Sequence, residues 1–258
     1  MLLDNLAGMH RPASLEAVAV STGSAQRGWL TRSKAVGVAL LVAGVLNSAF
    51  LVTAPGTFDV TDQSILGAVL AVPRERFVPV DSVGIAYLDN EIVVGGHGQR
   101  RMLKPMVFAR MLQSAAILPS DHVLDVGSGT GYSAAVIGKL CDHVVALEED
   151  PDLVRHTRQN LAGVGAANVT VAEGPLGIGW PARAPYDVIV LNGAAETVPP
   201  VLFDQLKPSG RLVAIVGDGP APKVTVYRLI KGQFSGWPVF DASGPVLPGF
   251  SRPQVFQF

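Results

Sequence analysis

Residues 122–149 read HVLDVGSGTGYSAAVIGKLCDHVVALEE, and the fold turns on them. His122 to Val126 is a short, mostly apolar run of β-branched residues and leucine, the composition of a buried strand. Gly127, Gly129 and Gly131 follow at alternate positions, with Ser128 and Thr130 between them. Tyr132–Leu140 is apolar at roughly helical spacing, and His143–Leu147 is a second apolar run ending on Glu148. Strand, glycine turn, helix, strand make one βαβ unit, the crossover that parallel strands require.

The turn restricts what can bind. Glycines let the backbone bend tightly and let a ligand approach without a Cβ in the way. The start of the next helix offers free N–H groups. An acid at the tip of the second strand can accept hydrogen bonds from both hydroxyls of a ribose, and Glu148 lies there at the expected spacing. The dinucleotide fingerprint G-x-G-x-x-G is not met: the third glycine comes one place early, and Tyr132 stands at the fingerprint's last position. The pattern is D-x-G-x-G-x-G, with Asp125 just ahead of the turn. A carboxylate there suits a cationic ligand better than a pyrophosphate. The stretch resembles the first motif of class I S-adenosylmethionine-dependent methyltransferases.

Bulk properties bound the rest. A chain of 258 residues suits one α/β domain with an appendage. The net charge of -1 carries no electrostatic footprint for nucleic acid. Cys141 is the one cysteine, which excludes an internal disulfide and a cysteine-based metal site and fits a reducing compartment. His10, His97, His122, His143 and His156 are scattered, with no pair at a metal-ligand interval, so no metal is expected.

Along the chain, residues 1–56 form an N-terminal extension. Met1 to about Lys34 lacks periodicity and reads as poorly ordered. Ala35–Ala54 is uncharged for long enough to cross a bilayer, with Arg27, Arg32 and Lys34 before it. That flank would send the following domain to the far side, away from the cytoplasmic pool of S-adenosylmethionine. A buried or monotopic helix, insertion against the charge rule, and removal from the mature chain all stay open; a span is the less favoured reading. Residues 57–118 read as a helical and substrate-loop segment: Asp62 caps Gln63–Ala71 with Ile65, Leu66, Val69 and Leu70 on one side, a loop follows over Gly95–Pro105, and a helix runs from Pro105 to Ala116. Residues 119–258 read as the ligand-binding domain, with a helix at Asp152–Gly163, strands at Asn168–Ala172, Tyr186–Leu191 and Gly210–Val216, and a short helix at Pro199–Leu206. Lys223–Ile230 and Gln233–Phe240 alternate around Lys231-Gly232 as a hairpin. The predicted class is α/β: a Rossmann-like, doubly wound, mostly parallel sheet with an antiparallel C-terminal hairpin and a small N-terminal helical segment. The tail from Ser243 should pack back on the domain.

From about Phe58 to Gly217 the chain resembles the protein-L-isoaspartate O-methyltransferase family. The residues that carry this are Val72-Pro73-Arg74-Glu75-Arg76-Phe77-Val78, Gly98-Gln99 with Pro105, Val123–Ala134, Val144–Glu148, Ala184–Ile189 and Leu206–Val216. The resemblance implies methyl transfer from S-adenosylmethionine to the free carboxylate of an isoaspartyl residue, the first step in repair of damaged proteins. It implies a cofactor site of Asp125, Gly127, Ser128, Gly129, Thr130, Gly131, Tyr132, Glu148, Glu149, Glu173 and Gly174, and a protein or peptide partner in the cytoplasm. An acceptor with pKa about 4 is already ionised at neutral pH, which agrees with the sparse inventory of catalytic bases.

Two departures stand out. Where the family carries Thr-Ile-Ser before the proline, with the serine against the substrate carboxylate, this chain has Arg100-Arg101-Met102-Leu103-Lys104, and Leu103 faces the serine position. Where the family has an acid after the glycine of the third-strand loop, this chain has Pro175, with Glu173 before Gly174. His97, Arg100, Arg101 and Lys104 are therefore candidates for holding a substrate carboxylate, with a solvated basic loop as the plain alternative. The loop His97–Lys104 and the turn Asn192–Glu196 would cover the substrate. A methyltransferase with another acceptor, and a non-catalytic S-adenosylmethionine-binding module, stay open beside the isoaspartyl enzyme.

Overall fold

Runs of Val, Ile and Leu between glycine turns build the sheet, and their alternation sends side chains to two separate cores. The computed structural model describes residues 60–95, 100–217 and 219–252, all within one compact unit, Leu40–Phe258. The Met1–Lys34 and Ala35–Ala54 segments and His97 lie outside the described residues, as do the final six. In chain order the elements are α1 (Gln63–Ala71), β1 (Ile92–Gly95), β2 (Arg100–Met102), α2 (Pro105–Ala115), β3 (His122–Val126), α3 (Tyr132–Ile137) and β4 (His143–Glu148). Then come α4 (Pro151–Gly163), β5 (Val169–Glu173), β6 (Tyr186–Ala195), α5 (Pro200–Phe203), β7 (Leu206–Val216), β8 (Lys223–Ile230) and β9 (Gln233–Asp241).

The main sheet has the order β5-β4-β3-β6-β7-β8-β9, parallel from β5 to β7 and antiparallel across β8 and β9. Strand order reverses between β3 and β6, and in open α/β sheets the crevice at such a reversal is where ligands bind. The predicted architecture and hairpin are therefore found.

Period-two alternation divides the core. Val123, Val144, Ala146, Val188, Val190, Val213 and Ile215 point to the face covered by α1, α2 and α3. Leu124, Val126, Val145, Leu147, Ile189, Leu191, Leu212 and Ala214 point to the other, where Leu202 of α5 and Leu247 and Phe250 of the tail join them. The described part of the tail thus packs back and serves as part of the second layer.

Several boundaries differ from expectation. The helix expected over Pro199–Leu206 is the single turn of α5, because the Gln205 carbonyl accepts the Tyr186 N–H at 2.8 Å and starts the ladder with β6. The helix after the glycine turn stops at Ile137, and Gly138 follows it. Leu70 of α1 is 58% exposed; Ala68 is buried in its place beside Ile65 and Leu66. Part of the expected loop Gly95–Pro105 is strand β2, paired antiparallel with β1 through a bulge between Val93 and Gly95. Asp62 does cap α1, accepting the N–H of Ser64 at 2.9 Å.

Candidate cofactor site

The glycine turn joins β3 to α3 at the carboxyl edge of the sheet. Gly127 (φ 78°), Gly129 (φ 60°) and Gly131 (φ 93°) all occupy the left-handed region, which strains any other residue. The N–H groups of Gly127 and Ser128 both donate to the Leu147 carbonyl, at 2.9 and 3.1 Å, and so hold the turn against β4. The glycines divide their roles. A Cβ on Gly131 would lie 3.0 Å from Thr157 of α4, so that glycine serves packing of the crossover. Gly127 faces the ligand side, where a Cβ would lie 3.1 Å from an Arg100 Nη2 and 2.9 Å from a Leu247 methyl.

Two buried carboxylates flank the turn. Asp125 is fully enclosed; one oxygen accepts the Ser133 hydroxyl at 2.5 Å, and Ser133 in turn accepts the Asn192 amide at 2.7 Å. Burial pushes the Asp125 carboxyl up to about 7, against the Ser133 hydrogen bond, which lowers it. Its other oxygen and the Ser128 hydroxyl are buried without a hydrogen-bond partner. Such atoms cost free energy unless a ligand or water meets them. Glu148 is likewise fully buried and accepts the N–H of Gly129 at 2.8 Å, of Glu149 at 3.0 Å and of Asp150 at 3.3 Å.

Glu148 has a further partner. An Arg100 Nη2 donates to it at 2.6 Å, a buried ion pair in which the arginine Nε has no partner. Leu247 comes from the tail, which is bridged to β6: the Ala194 N–H donates to the Pro245 carbonyl at 2.8 Å, and the Leu247 N–H to the Ala194 carbonyl at 2.9 Å. A small cavity of about 10 Å³ is bordered by Val94, Arg101, Met102, Tyr132, Ser133, Asn192 and the turn.

A sequence profile described as protein-L-isoaspartate(D-aspartate) O-methyltransferase matches residues 54–235. The chain belongs to that family. It is 41% identical over 172 residues to the protein-L-isoaspartate O-methyltransferase of Opitutus terrae, covering 67% of this chain and 72% of the relative. It is 40% identical over 158 residues to the enzyme of the same name from Protochlamydia amoebophila, covering 61% and 74%. Among solved structures, a protein-L-isoaspartate O-methyltransferase superposes with a TM-score of 0.66 at 21% identity, covering 84% of this chain and 67% of that one. A Plasmodium falciparum chain described as a putative member, solved in complex with S-adenosyl-L-homocysteine, gives 0.65 at 18% identity over 82% and 97%. At such identities the likeness shows the fold.

Members of the protein-L-isoaspartate O-methyltransferase family are S-adenosylmethionine-dependent enzymes, and the residues here suit that cofactor. The Asp125 oxygen and Ser128 hydroxyl that have no protein partner are chemically suited to an ammonium group. The remaining residues expected from the family pattern scatter in role. The Thr130 hydroxyl donates to the Phe77 carbonyl at 2.6 Å, tying the turn to the N-terminal segment. Tyr132 is buried between Phe77, Phe108 and the Arg74 guanidinium, 4.6 Å from its ring centre. Glu149 accepts the Leu176 N–H at 3.3 Å, and Gly174 donates to the Glu148 carbonyl at 3.1 Å while packing on Trp180. Glu173 departs from expectation: it is exposed and 4.0 Å from Arg158 at the sheet edge. Asn192–Glu196, read as a turn, is mostly the end of β6, with Glu196 accepting the Arg252 N–H at 2.6 Å.

Of the basic candidates, Arg101 is exposed and borders the cavity, while Lys104 is half-buried at the start of α2. Arg100, expected in a solvated or substrate-facing loop, is buried on β2 because its register turns it onto Glu148. Leu103 is buried against Gly244 of the tail. Sequence reasoning missed Ser133 and Leu247; neither carries a signal beyond ordinary helix and tail composition. Cys141 is buried and its thiol is pushed up to about 12 by burial, the behaviour of a packing residue. Among the described residues no cluster of three or more metal-binding side chains exists, and no helix is long and apolar enough to cross a membrane.

Proposed function

We propose that this chain methylates the free carboxylate of isoaspartyl residues in proteins or peptides, holding S-adenosylmethionine at the carboxyl edge of β3 and β4. One observation carries the assignment of the site: two fully buried carboxylates, Asp125 and Glu148, bracket a glycine turn, and an Asp125 oxygen and the Ser128 hydroxyl of the turn are buried without a partner. In this reading Glu148 takes the ribose hydroxyls, and Asp125 with Ser128 takes the amino-acid end. Gly127 and Gly129 admit the ligand, and Ser133 with Asn192 fixes the orientation of Asp125. Residues 57–118 then act as the substrate-loop segment.

When bound, the cofactor supplies an electrophilic methyl on a sulfonium. The chain's own task is placement and exclusion of water, worth roughly 7–11 kcal/mol when the reacting atoms are held in line. The acceptor carboxylate is ionised above about pH 4, so no side chain need remove a proton. Arg101, exposed at the cavity, is the cation best situated to meet that carboxylate, with Lys104 behind it. A cytoplasmic location follows from where the cofactor is made.

A second acceptor class is favoured by one observation: Leu103, at the position where the resemblance leads to a serine, is buried and offers no hydroxyl. Transfer of labelled methyl to an isoaspartyl peptide and to its normal aspartyl counterpart decides between them. Selective labelling of the isoaspartyl peptide is expected. Labelling of neither, in protein that binds S-adenosylhomocysteine, leaves the fold with a different acceptor.

A further inference from the structure

Glu148 has no oxygen free for a further pair of donors. Its Oε2 already takes the Arg100 guanidinium at 2.6 Å and the Gly129 N–H at 2.8 Å, and Oε1 takes two backbone N–H groups. A ribose diol at this carboxylate needs the place that Arg100 holds. The same guanidinium lies over Gly127, where the closest approach to a ligand is required. A sulfonium-bearing ligand also brings positive charge toward a buried cation, and like charges at low dielectric repel strongly.

Leu247 covers the rest of the floor. Its side chain sits in the notch left by two residues without Cβ: a Cβ on Gly193 would lie 2.6 Å from it, and one on Gly127 2.9 Å. The Arg100 covering is lightly held: among the described residues its side chain makes one hydrogen bond, leaves Nε unpartnered, and stands on a two-stranded ribbon beside a bulge. Leu247 rests on a tail segment bridged to β6 and anchored by the fully buried Phe250, whose carbonyl accepts the N–H groups of Glu196 at 3.0 Å and Thr197 at 3.2 Å.

We propose that Arg100 and the Leu247 side chain form a gate that occupies the cofactor floor from within the chain, so that cofactor enters only an open minor state in which Arg100 has left Glu148 and the Leu247 side chain has swung out of its glycine notch. This rests on the reading of Glu148 as the ribose carboxylate. Opening turns a buried guanidinium out toward the side on which Arg101 lies, so loading the cofactor also builds positive charge where an acceptor carboxylate must dock. Binding is then ordered, cofactor first.

The test measures S-adenosylhomocysteine binding by calorimetry, and its association rate by tryptophan fluorescence, with Trp180 packed on Gly174 as the reporter. The full-length protein is compared with Arg100→Ala and Leu247→Ala. A gate that is open about a tenth of the time weakens apparent affinity about tenfold. Both variants are then expected to bind about tenfold tighter, and the observed rate, which levels off with ligand concentration in the parent, is expected to rise linearly in the variants. Equal or weaker binding by both variants, with a linear rate in the parent, overturns the gate and leaves the cofactor reading standing. Binding by none of the three folded proteins overturns the reading of Glu148 and the gate with it. If Arg100→Ala does not fold, Leu247→Ala decides alone, since it leaves the Arg100–Glu148 pair whole.

Discussion

Two buried arginine–carboxylate pairs sit at opposite ends of the parallel strands, and their chemistry is the same while their surroundings differ. Arg211 and Asp121 meet at 2.7 Å at the amino edge; Arg100 and Glu148 meet at 2.6 Å at the carboxyl edge. Arg211 bonds through all three of its side-chain nitrogens. It also reaches the Ala115 carbonyl and, at 2.5 Å, the Ala116 carbonyl, just where Ala116 turns left-handed (φ 48°) to end α2. Asp121 accepts the Leu118 N–H with the same oxygen, at 2.9 Å. Arg100 makes its one bond and leaves Nε bare, beside an unpartnered Asp125 oxygen and Ser128 hydroxyl. The first pair is a structural clamp between helix, loop and β7. The second stands in a set of groups whose hydrogen-bonding capacity the protein does not fill, the condition expected of a site kept for a ligand.

The largest expected effect tests that distinction directly. Arg211→Ala should cost about 3–5 kcal/mol of stability in urea denaturation, because it strands a buried Asp121 and frees helix-end carbonyls. Arg100→Ala should cost less, about 1–3 kcal/mol, since Glu148 keeps three backbone N–H donors. A reversed order would erase the contrast.

Next in size is Glu148→Ala, expected to weaken S-adenosylhomocysteine binding by roughly 10- to 150-fold, the worth of hydrogen bonds to a charged acceptor at about 1.5–3 kcal/mol. Asp121→Asn, at the other end, should leave calorimetric affinity unchanged in the folded fraction. Affinity that survives in Glu148→Ala would remove the carboxyl edge from ligand binding.

Titration gives a smaller effect. The Asp125 carboxyl stands at about 7 in the fold, above its ordinary 3.8, because burial disfavours the anion. Between those values the folded chain keeps a proton that the unfolded chain has lost. The stability this group contributes is therefore complete at low pH, declines as pH rises toward about 7, and is flat above. A cationic ligand favours the anion, so affinity for S-adenosylmethionine should rise with pH up to about 7, by at most about tenfold per unit. Asp125→Asn should flatten that profile; a parent profile already flat from pH 5 to 8 would separate Asp125 from the ligand. Smallest is Lys207→Met. Its bridge to Asp187, 2.8 Å long at the amino edge, is partly exposed, and losing it should cost under about 1 kcal/mol by denaturation. A loss as large as that of Arg211→Ala would make position in the sheet, rather than burial, the deciding variable.

Much of this was legible beforehand. The stretch His122–Glu149 announces strand, turn, helix and strand because periodicity and glycine spacing are local properties, and the observed β3 and β8 coincide with the expected runs. Elements whose ends are set by partners were read less well. β6 runs on through Asn192–Ala195 because β7 and the tail pair with it there, which no window around Asn192 reports. Sequence alone leaves Arg100 open between a cation for a substrate carboxylate and part of a solvated basic loop. Its burial depends on a strand register with β1 and on a carboxylate 48 residues away.

By itself, the order of residues determined the α/β class, the glycine turn, the acids on either side of it and the family to which the chain belongs. Those features follow from alternation, helical spacing and backbone freedom within a few dozen neighbouring residues. Tertiary structure alone decided which of the three glycines meets Arg100 and Leu247, and which buried oxygens are left unpartnered among the described residues. These depend on distance in space between segments remote along the chain, where packing and buried charge, not local preference, select the arrangement.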